Sequence, residues 1–255
     1  LTAAKSILIT GASSGLGEAL ALGYAGPGVS LFLSGRDGGR LDAVTQACRD
    51  KGAWAEGQLV NVTDAAAMAA WIAASDAKAP LDLLIANAGI SAGDPQLEGQ
   101  ESEQRIRAIF AVDLDGVINS VLPILEPMRQ RGHGQIVLMS SLAGMRGFAS
   151  APAYCAAKAA VRIWGEGLRG QLAPSGIGVS VVCPGFVKSR ITGRNRFPMP
   201  MLMEAPDAAK LIIKGISGNN GLISFPWLLA WVMAFYATMP WKLVELLSSK
   251  LPRKE

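Results

Sequence analysis

The chain has 255 residues, half of them hydrophobic and 17% charged, with a net charge of +4, enough to bury the core of one large domain. Its Lys and Arg are dispersed, with small groups at Arg190/Arg194/Arg196 and Arg253/Lys254, and no basic helix or aromatic-basic stripe marks a nucleic-acid partner. Three cysteines (Cys48, Cys155, Cys183) without metal-ligand spacing, and one histidine, His133 between two glycines, exclude a disulfide framework, a His-based metal centre and a Ser-His-Asp triad.

Short apolar runs alternate with longer helical patterns. Strands are expected at 6–10, 29–34, 54–60, 81–86, 135–140, 178–183 and 222–225. Helices are expected at 15–25, 39–51, 65–77, 101–131, 152–172 and 206–216. Uninterrupted apolar strands such as Leu83-Leu84-Ile85 and Ile136-Val137-Leu138-Met139 suit a sheet covered on both faces. Strand–helix alternation implies right-handed crossovers. The expected fold is therefore α/β: a doubly wound, Rossmann-type parallel sheet of about seven strands, helices on both faces, and an extra C-terminal apolar helix. With no internal repeat and no linker, residues 1–255 read as one domain.

Two segments break the rhythm. Residues 188–203 have no clear period and carry Pro198, Pro200 and three methionines, a composition suited to a substrate lid or to simple core filling. Residues 222–255 form an apolar extension. No charge falls between Lys214 and Lys242, and Leu222 to Trp241 could bury against protein, lie on a membrane surface or span one. No secretory signal is visible, so the expected location is the cytoplasm, with peripheral membrane contact through 222–255 as an option.

The chemistry lies in four places. Gly11, Gly15 and Gly17, with Ser13, Ser14 and Leu16 between them, form a glycine turn between the first strand and first helix, where a backbone free of Cβ atoms receives a pyrophosphate. The second strand ends Leu33-Ser34-Gly35-Arg36. The acidic residue that would hold an NAD ribose is missing, and Arg36 suits a 2′-phosphate, so NADP(H) is preferred with NAD(H) as the second choice. Asn87-Ala88-Gly89 ends the fourth strand at the sheet's ligand-binding edge. Tyr154 and Lys158 are four apart on one helix face, where an ammonium should make the phenol a usable acid or base below its ordinary pKa of roughly 10.

In this order the motifs resemble the short-chain dehydrogenase/reductase family over roughly Lys5 to Ile216. The glycine turn is similar to that family's cofactor turn, and Asn87-Ala88-Gly89 to its sheet-supporting motif. Tyr154 and Lys158 resemble its Tyr-x-x-x-Lys, and Ser141, thirteen residues before Tyr154, its catalytic serine. Pro184, Gly185, Val187 and Ser189 resemble its Pro-Gly-x-Val-x-Thr, with Ser in place of Thr. The resemblance implies that Tyr154 is the general acid/base and that Lys158 lowers its pKa and holds the nicotinamide ribose. It further implies that Ser141 binds the substrate oxygen, the Pro184–Ser189 turn the nicotinamide, and Asn61 and Val62 the adenine. Where the family has a relay asparagine, this chain has Asp113, in Asp113-Leu114-Asp115-Gly116. The implied activity is hydride transfer between NADP(H) and a carbonyl or secondary alcohol, in a homodimer or homotetramer; the Met, Leu and Trp of residues 188–203 and 222–255 point to an apolar substrate. The alternative is an NADP(H)-binding regulator or scaffold whose chemistry is impaired at Asp113.

Overall fold

The structure, a computed structural model, describes residues 4–91, 101–190, 192–194 and 198–248, without the side chains of 194 and 246–248. Arg196 and Arg253/Lys254, the tip of the expected lid and the end of the apolar extension lie outside the described residues.

Seven strands form one sheet: β1 Ser6–Ile9, β2 Ser30–Gly35, β3 Trp54–Leu59, β4 Leu83–Ala86, β5 Gly134–Met139, β6 Ile177–Pro184 and β7 Leu222–Phe225. The order is β3-β2-β1-β4-β5-β6-β7, every neighbouring pair parallel. The helices are α1 Gly15–Tyr24, α2 Gly38–Asp50, α3 Ala65–Lys78, α4 Glu103–Phe110, α5 Gly116–Arg131, α6 Pro152–Leu172, α7 Ala205–Ser217, α8 Trp227–Thr238 and α9 Trp241–Ser248.

Alternation along the strands splits the core in two. Ile7, Ile9, Leu31, Leu33, Ile85 and Val137 face Leu20, Leu41, Val44 and Ile212 of α1, α2 and α7. Leu8, Phe32, Leu84, Ile136 and Leu138 face Met68, Ile72, Val121, Ile124 and Leu168 of α3, α5 and α6. Every residue of β1, β4, β5 and β6 is buried, which is why these strands are mostly apolar; the polar Ser6 and Gln135 are buried too but donate to the carbonyls of Ala79 and Ile216. Asp37, Asp64 and Ser102 cap α2, α3 and α4 by accepting a backbone N–H three residues on.

The structure departs from the sequence reading in the long helix. The helix expected at 101–131 is interrupted by a π-helical turn at Ala111–Asp115, where the ladder takes in an extra residue. Glu103–Arg131 is the one described stretch long and apolar enough to cross a membrane; its Val117, Val121, Ile124 and Met128 are instead buried in the core. In the tail the expected strand Leu222–Phe225 pairs with β6, and proline residues at 226 and 240 delimit the 12-residue α8 that follows. At about 18 Å, α8 is too short to span a bilayer, which removes the spanning option. Nor is it buried in the fold: Met233 faces inward, whereas Trp227, Trp231 and Phe235 are 70%, 73% and 66% exposed.

Candidate active site

The strand order reverses between β1 and β4, so a crevice opens at their carboxyl ends. Asn87 Nδ2 donates to the carbonyls of Thr10 (3.0 Å) and Gly11 (3.2 Å), and the Asn87 and Ala88 amides donate to Thr10 Oγ1 at 3.0 and 3.1 Å. These bonds lock the glycine turn to the Asn87-Ala88-Gly89 turn. Gly11 is left-handed (φ 67°), and a Cβ there would stand 2.8 Å from Ala88 Cα. A Cβ on Gly17 would stand 2.2 Å from the Gly11 carbonyl oxygen, so neither glycine can be replaced without moving backbone.

The turn fits a pyrophosphate. Ser14 is the N-cap of α1 but makes no capping bond, so the helix's first amides are not capped by that side chain. Leu16 packs on the core and anchors the turn from below. From the opposite edge, Ser189 approaches to 3.1 Å from the position of a Gly15 Cβ. The far end of the Pro184–Ser189 turn thus overhangs the glycine turn. That turn is held by Gly185 N–H donating to Phe225 O (2.7 Å), by buried Val187, and by the bridge between Val187 and Met203 that closes the base of the 188–203 loop.

Gly35 has a packing reason as well as a chemical one: a Cβ there would meet Ser13 Cβ at 2.8 Å. Arg36 follows, exposed and without an ion pair among the described residues. Asp37 does not neutralise it: Asp37 accepts the Arg40 amide as the α2 cap and pairs with the Arg40 side chain at 2.8 Å. Asn61 is exposed, its side chain accepting the Thr63 amide, whereas the Val62 side chain is buried beneath Gly116 and its carbonyl accepts from Asn119. Only the backbone of Val62 is left for a ligand.

Tyr154, Lys158, Ser141 and Asp113 converge from α6, the turn after β5 and the π-helical turn. Lys158 Nζ lies 5.8 Å from the Tyr154 ring centre, donates to Met139 O at 3.0 Å, and stands 3.4 Å from Asp113 Oδ2. Asp113 and Lys158 are 0% and 4% exposed. Asp113 Oδ1 accepts the Ile90 amide at 2.7 Å, and Oδ2 makes no hydrogen bond. The polar groups that face this carboxyl are donors, so it is the ionised form that fits. Gly89 lies against the pair: a Cβ there would make ordinary contacts of 3.4–3.5 Å with Lys158 Nζ and both Asp113 oxygens. The neighbouring Ser140 hydroxyl is buried and donates to Lys158 O at 2.7 Å, so it is already engaged. Ser141 Oγ accepts the Ala143 amide and lies beside the Tyr154 hydroxyl.

The electrostatics correct one expectation. Lys158 does pull the Tyr154 phenol down, but burial pushes it up by more, and the Asp113 charge adds to the rise. The net direction is upward, so Tyr154 keeps its proton at neutral pH. Burial also raises the Asp113 carboxyl, opposed first by Lys158 and then by the Ile90 amide. For Lys158, burial pulls the ammonium down, and Asp113 with Tyr154 reverses this, leaving it raised and charged.

Some contributors were not visible in the sequence. Glu101 Oε2 accepts the Ala153 amide at 2.9 Å and so caps α6, which has no side-chain cap of its own. No local pattern joins residues 52 positions apart. The Met139 carbonyl that fixes Lys158 is a backbone group and leaves no mark on residue type.

The family model for short chain dehydrogenase matches residues 5–198. The chain belongs to the short-chain dehydrogenase family. An oxidoreductase of Myxococcus xanthus is 41% identical over 227 residues, covering 89% of each chain. Ketoacyl reductase HetN of Nostoc is 32% identical over 85% of this chain and 76% of its own. Among solved structures, a short-chain dehydrogenase from Sphingobium yanoikuyae in complex with NADPH is 28% identical with TM-score 0.79, covering 98% of this chain and 97% of its own. One from Burkholderia phymatum in complex with NAD is 25% identical with TM-score 0.82, covering 98% and 96%. As a short-chain dehydrogenase, the protein is an oxidoreductase with a nicotinamide cofactor and a small-molecule substrate.

Proposed function

We propose that this oxidoreductase reduces an apolar carbonyl compound with NADPH, with Tyr154 as the proton donor. The observation that carries the reading is the convergence of Tyr154, Lys158 and Ser141 beside the glycine turn. The cofactor supplies the hydride. Ser141 holds the substrate oxygen, Tyr154 donates its proton to that oxygen as negative charge develops, and Lys158 stabilises the phenolate left behind. A phenol raised by burial stays protonated over a wide pH range, which favours its use as an acid, the role reduction requires. The same convergence argues against a scaffold with impaired chemistry.

Support for NADP(H) comes from Gly35, whose place is closed to an acidic side chain by Ser13, and from the unpaired Arg36. Gly11, Ser13, Ser14, Gly15, Leu16 and Gly17 would surround the pyrophosphate. Arg36 would hold the 2′-phosphate, Asn61 and Val62 the adenine, and Pro184, Gly185, Val187 and Ser189 the nicotinamide. An apolar substrate fits the wall beyond Ser141, where Leu142, Met145 and Phe148 meet Leu229 and Tyr236 of α8. Leu122 on α5 and Ile163 on α6 are more than half exposed, suited to a homodimer or homotetramer built through these helices.

The deciding experiment is calorimetric titration with NADPH and, separately, NADH. NADPH should bind much more tightly, and Arg36→Ala should weaken NADPH by about ten- to a hundredfold while sparing NADH, the loss of one charge-assisted contact. Equal binding of both would reduce Arg36 to a surface residue. Binding of neither by folded protein would overturn the oxidoreductase reading.

Asp113 supplies a second test. Its charge raises the Tyr154 phenol, so Asp113→Asn should lower the apparent pKa in the pH profile of kcat/KM. Alcohol oxidation, which needs the phenolate, would then begin at lower pH, and carbonyl reduction would fade at lower pH. At neutral pH kcat should be kept or raised; a large loss would mean that the carboxylate has its own role.

A further inference from the structure

The inner side of α8 packs on the fold: Leu229, Ala230, Met233 and Tyr236 meet Leu142, Val181 and Cys183, with Tyr236 stacked on Phe148 at 6.1 Å. The outer side carries Trp227, Leu228, Trp231, Val232 and Phe235, spaced at three and four residues along one stripe and each 48–73% exposed. Trp241 at the start of α9 extends the stripe and is 71% exposed. A contiguous apolar face with three tryptophans is more than scattered surface hydrophobicity.

Its rim decides the occupant. From 215 to 241 there is no charged residue. Arg146 lies beside the patch, its guanidinium 5.6 Å from the Trp241 ring centre and donating to Ala237 O. Lys242 is exposed, and the sequence then adds Lys250, Arg253 and Lys254 against Glu245 and Glu255, four basic and two acidic residues after the patch. Tryptophan rings favour the headgroup depth of a bilayer, and basic side chains beside them favour anionic lipid. The basic groups, Arg146 and Lys242, gather at one end of the stripe, and the described stripe itself carries no carboxylate that could pair with them in a second copy.

We propose that the outer face of α8 and the start of α9 form a membrane-surface docking site for anionic lipid. The helix lies in the interface plane and does not cross it. Its inner face lines the wall beyond Ser141, so docking places the apolar side of the site next to the lipid. This adds a partner to the proposed reductase and does not depend on it, because vesicle binding is read in a protein that turns nothing over.

The test is flotation of full-length protein with vesicles of phosphatidylcholine alone and of phosphatidylcholine with about one-third phosphatidylglycerol. The wild type should float with the anionic vesicles, several-fold less with the neutral ones, and less at high salt. The triple variant Trp227→Gln/Trp231→Gln/Phe235→Gln, with an unchanged circular dichroism spectrum and thermal midpoint, should stay at the bottom. If that variant misfolds, the blue shift of wild-type tryptophan fluorescence on adding anionic vesicles provides the readout. Wild type that stays at the bottom with both vesicle types, without a spectral shift, would overturn the proposal. So would a wild-type oligomer that does not float and that the triple variant dissociates, since a second copy would then cover the face.

Discussion

Tyr154→Phe should lower kcat for reduction of a hydrophobic ketone by about a thousandfold, the scale of a lost general acid. The substitution removes one oxygen and keeps the ring, which packs among Ile90, Ile106, Ile109 and Ala157. The Lys158–Asp113 pair does not depend on the hydroxyl, because Lys158 is held by Met139 O and Asp113 by the Ile90 amide. NADPH affinity, measured by titration on the same preparation, should therefore stay within a few-fold of wild type, separating lost proton transfer from lost binding. A panel of aryl and long-chain ketones supplies the substrates. Turnover near the wild-type rate would remove Tyr154 as the proton donor and point to a water or another side chain delivering the proton.

The parts of this fold that were legible in the sequence are those fixed by local rules. All seven strands were placed within about two residues, the central ones because burial on both faces leaves little room for polar alternation and the edge strands β3 and β7 by their place in the strand–helix rhythm. The helix at Pro152–Leu172 was visible because proline is tolerated in a first turn and the helical pattern continues from it. The interruption at Ala111–Asp115 was not, since a π-helical turn keeps the same residue types and alters only which carbonyl accepts each bond. At the site, residue identity gave Tyr154, Lys158 and the substitution at Asp113, but not the balance of their charges. Proximity alone predicts that Lys158 makes Tyr154 more acidic. Burial, which only three-dimensional packing sets, reverses the sign. In the tail the strand at Leu222–Phe225 was legible, but composition alone did not say which side of the apolar helix after it packs on the fold and which stays exposed.

Lys158→Met should be the most damaging single change to stability in the site. It leaves the Asp113 carboxylate fully buried with the Ile90 amide as its near hydrogen-bond partner. Removing one member of a buried ion pair costs about 3–5 kcal/mol, a fall in Tm of roughly 10 °C for a chain of this size. The pH dependence distinguishes this cause from lost packing. Without Lys158 the chief influence lowering the Asp113 carboxyl is gone, so burial holds its folded pKa further above the unfolded value of roughly 3.9. Between those two pKa values the unfolded chain has released a proton that the folded chain keeps, so stability falls as pH rises through that window and is level above it. The deficit relative to wild type should therefore be small near pH 4, grow as pH rises through the folded Asp113 pKa, and level off above it. Methionine fills nearly the volume of the lysine stem, so a packing defect would give a deficit independent of pH. Adding Asp113→Asn to Lys158→Met removes the stranded charge and should recover most of the lost Tm at neutral pH, although activity stays lost because Lys158 is absent. If the double variant melted as low as Lys158→Met alone, the carboxylate would not be the source of the instability, and the Asp113–Lys158 pair would be a geometric neighbour pair with little energetic coupling.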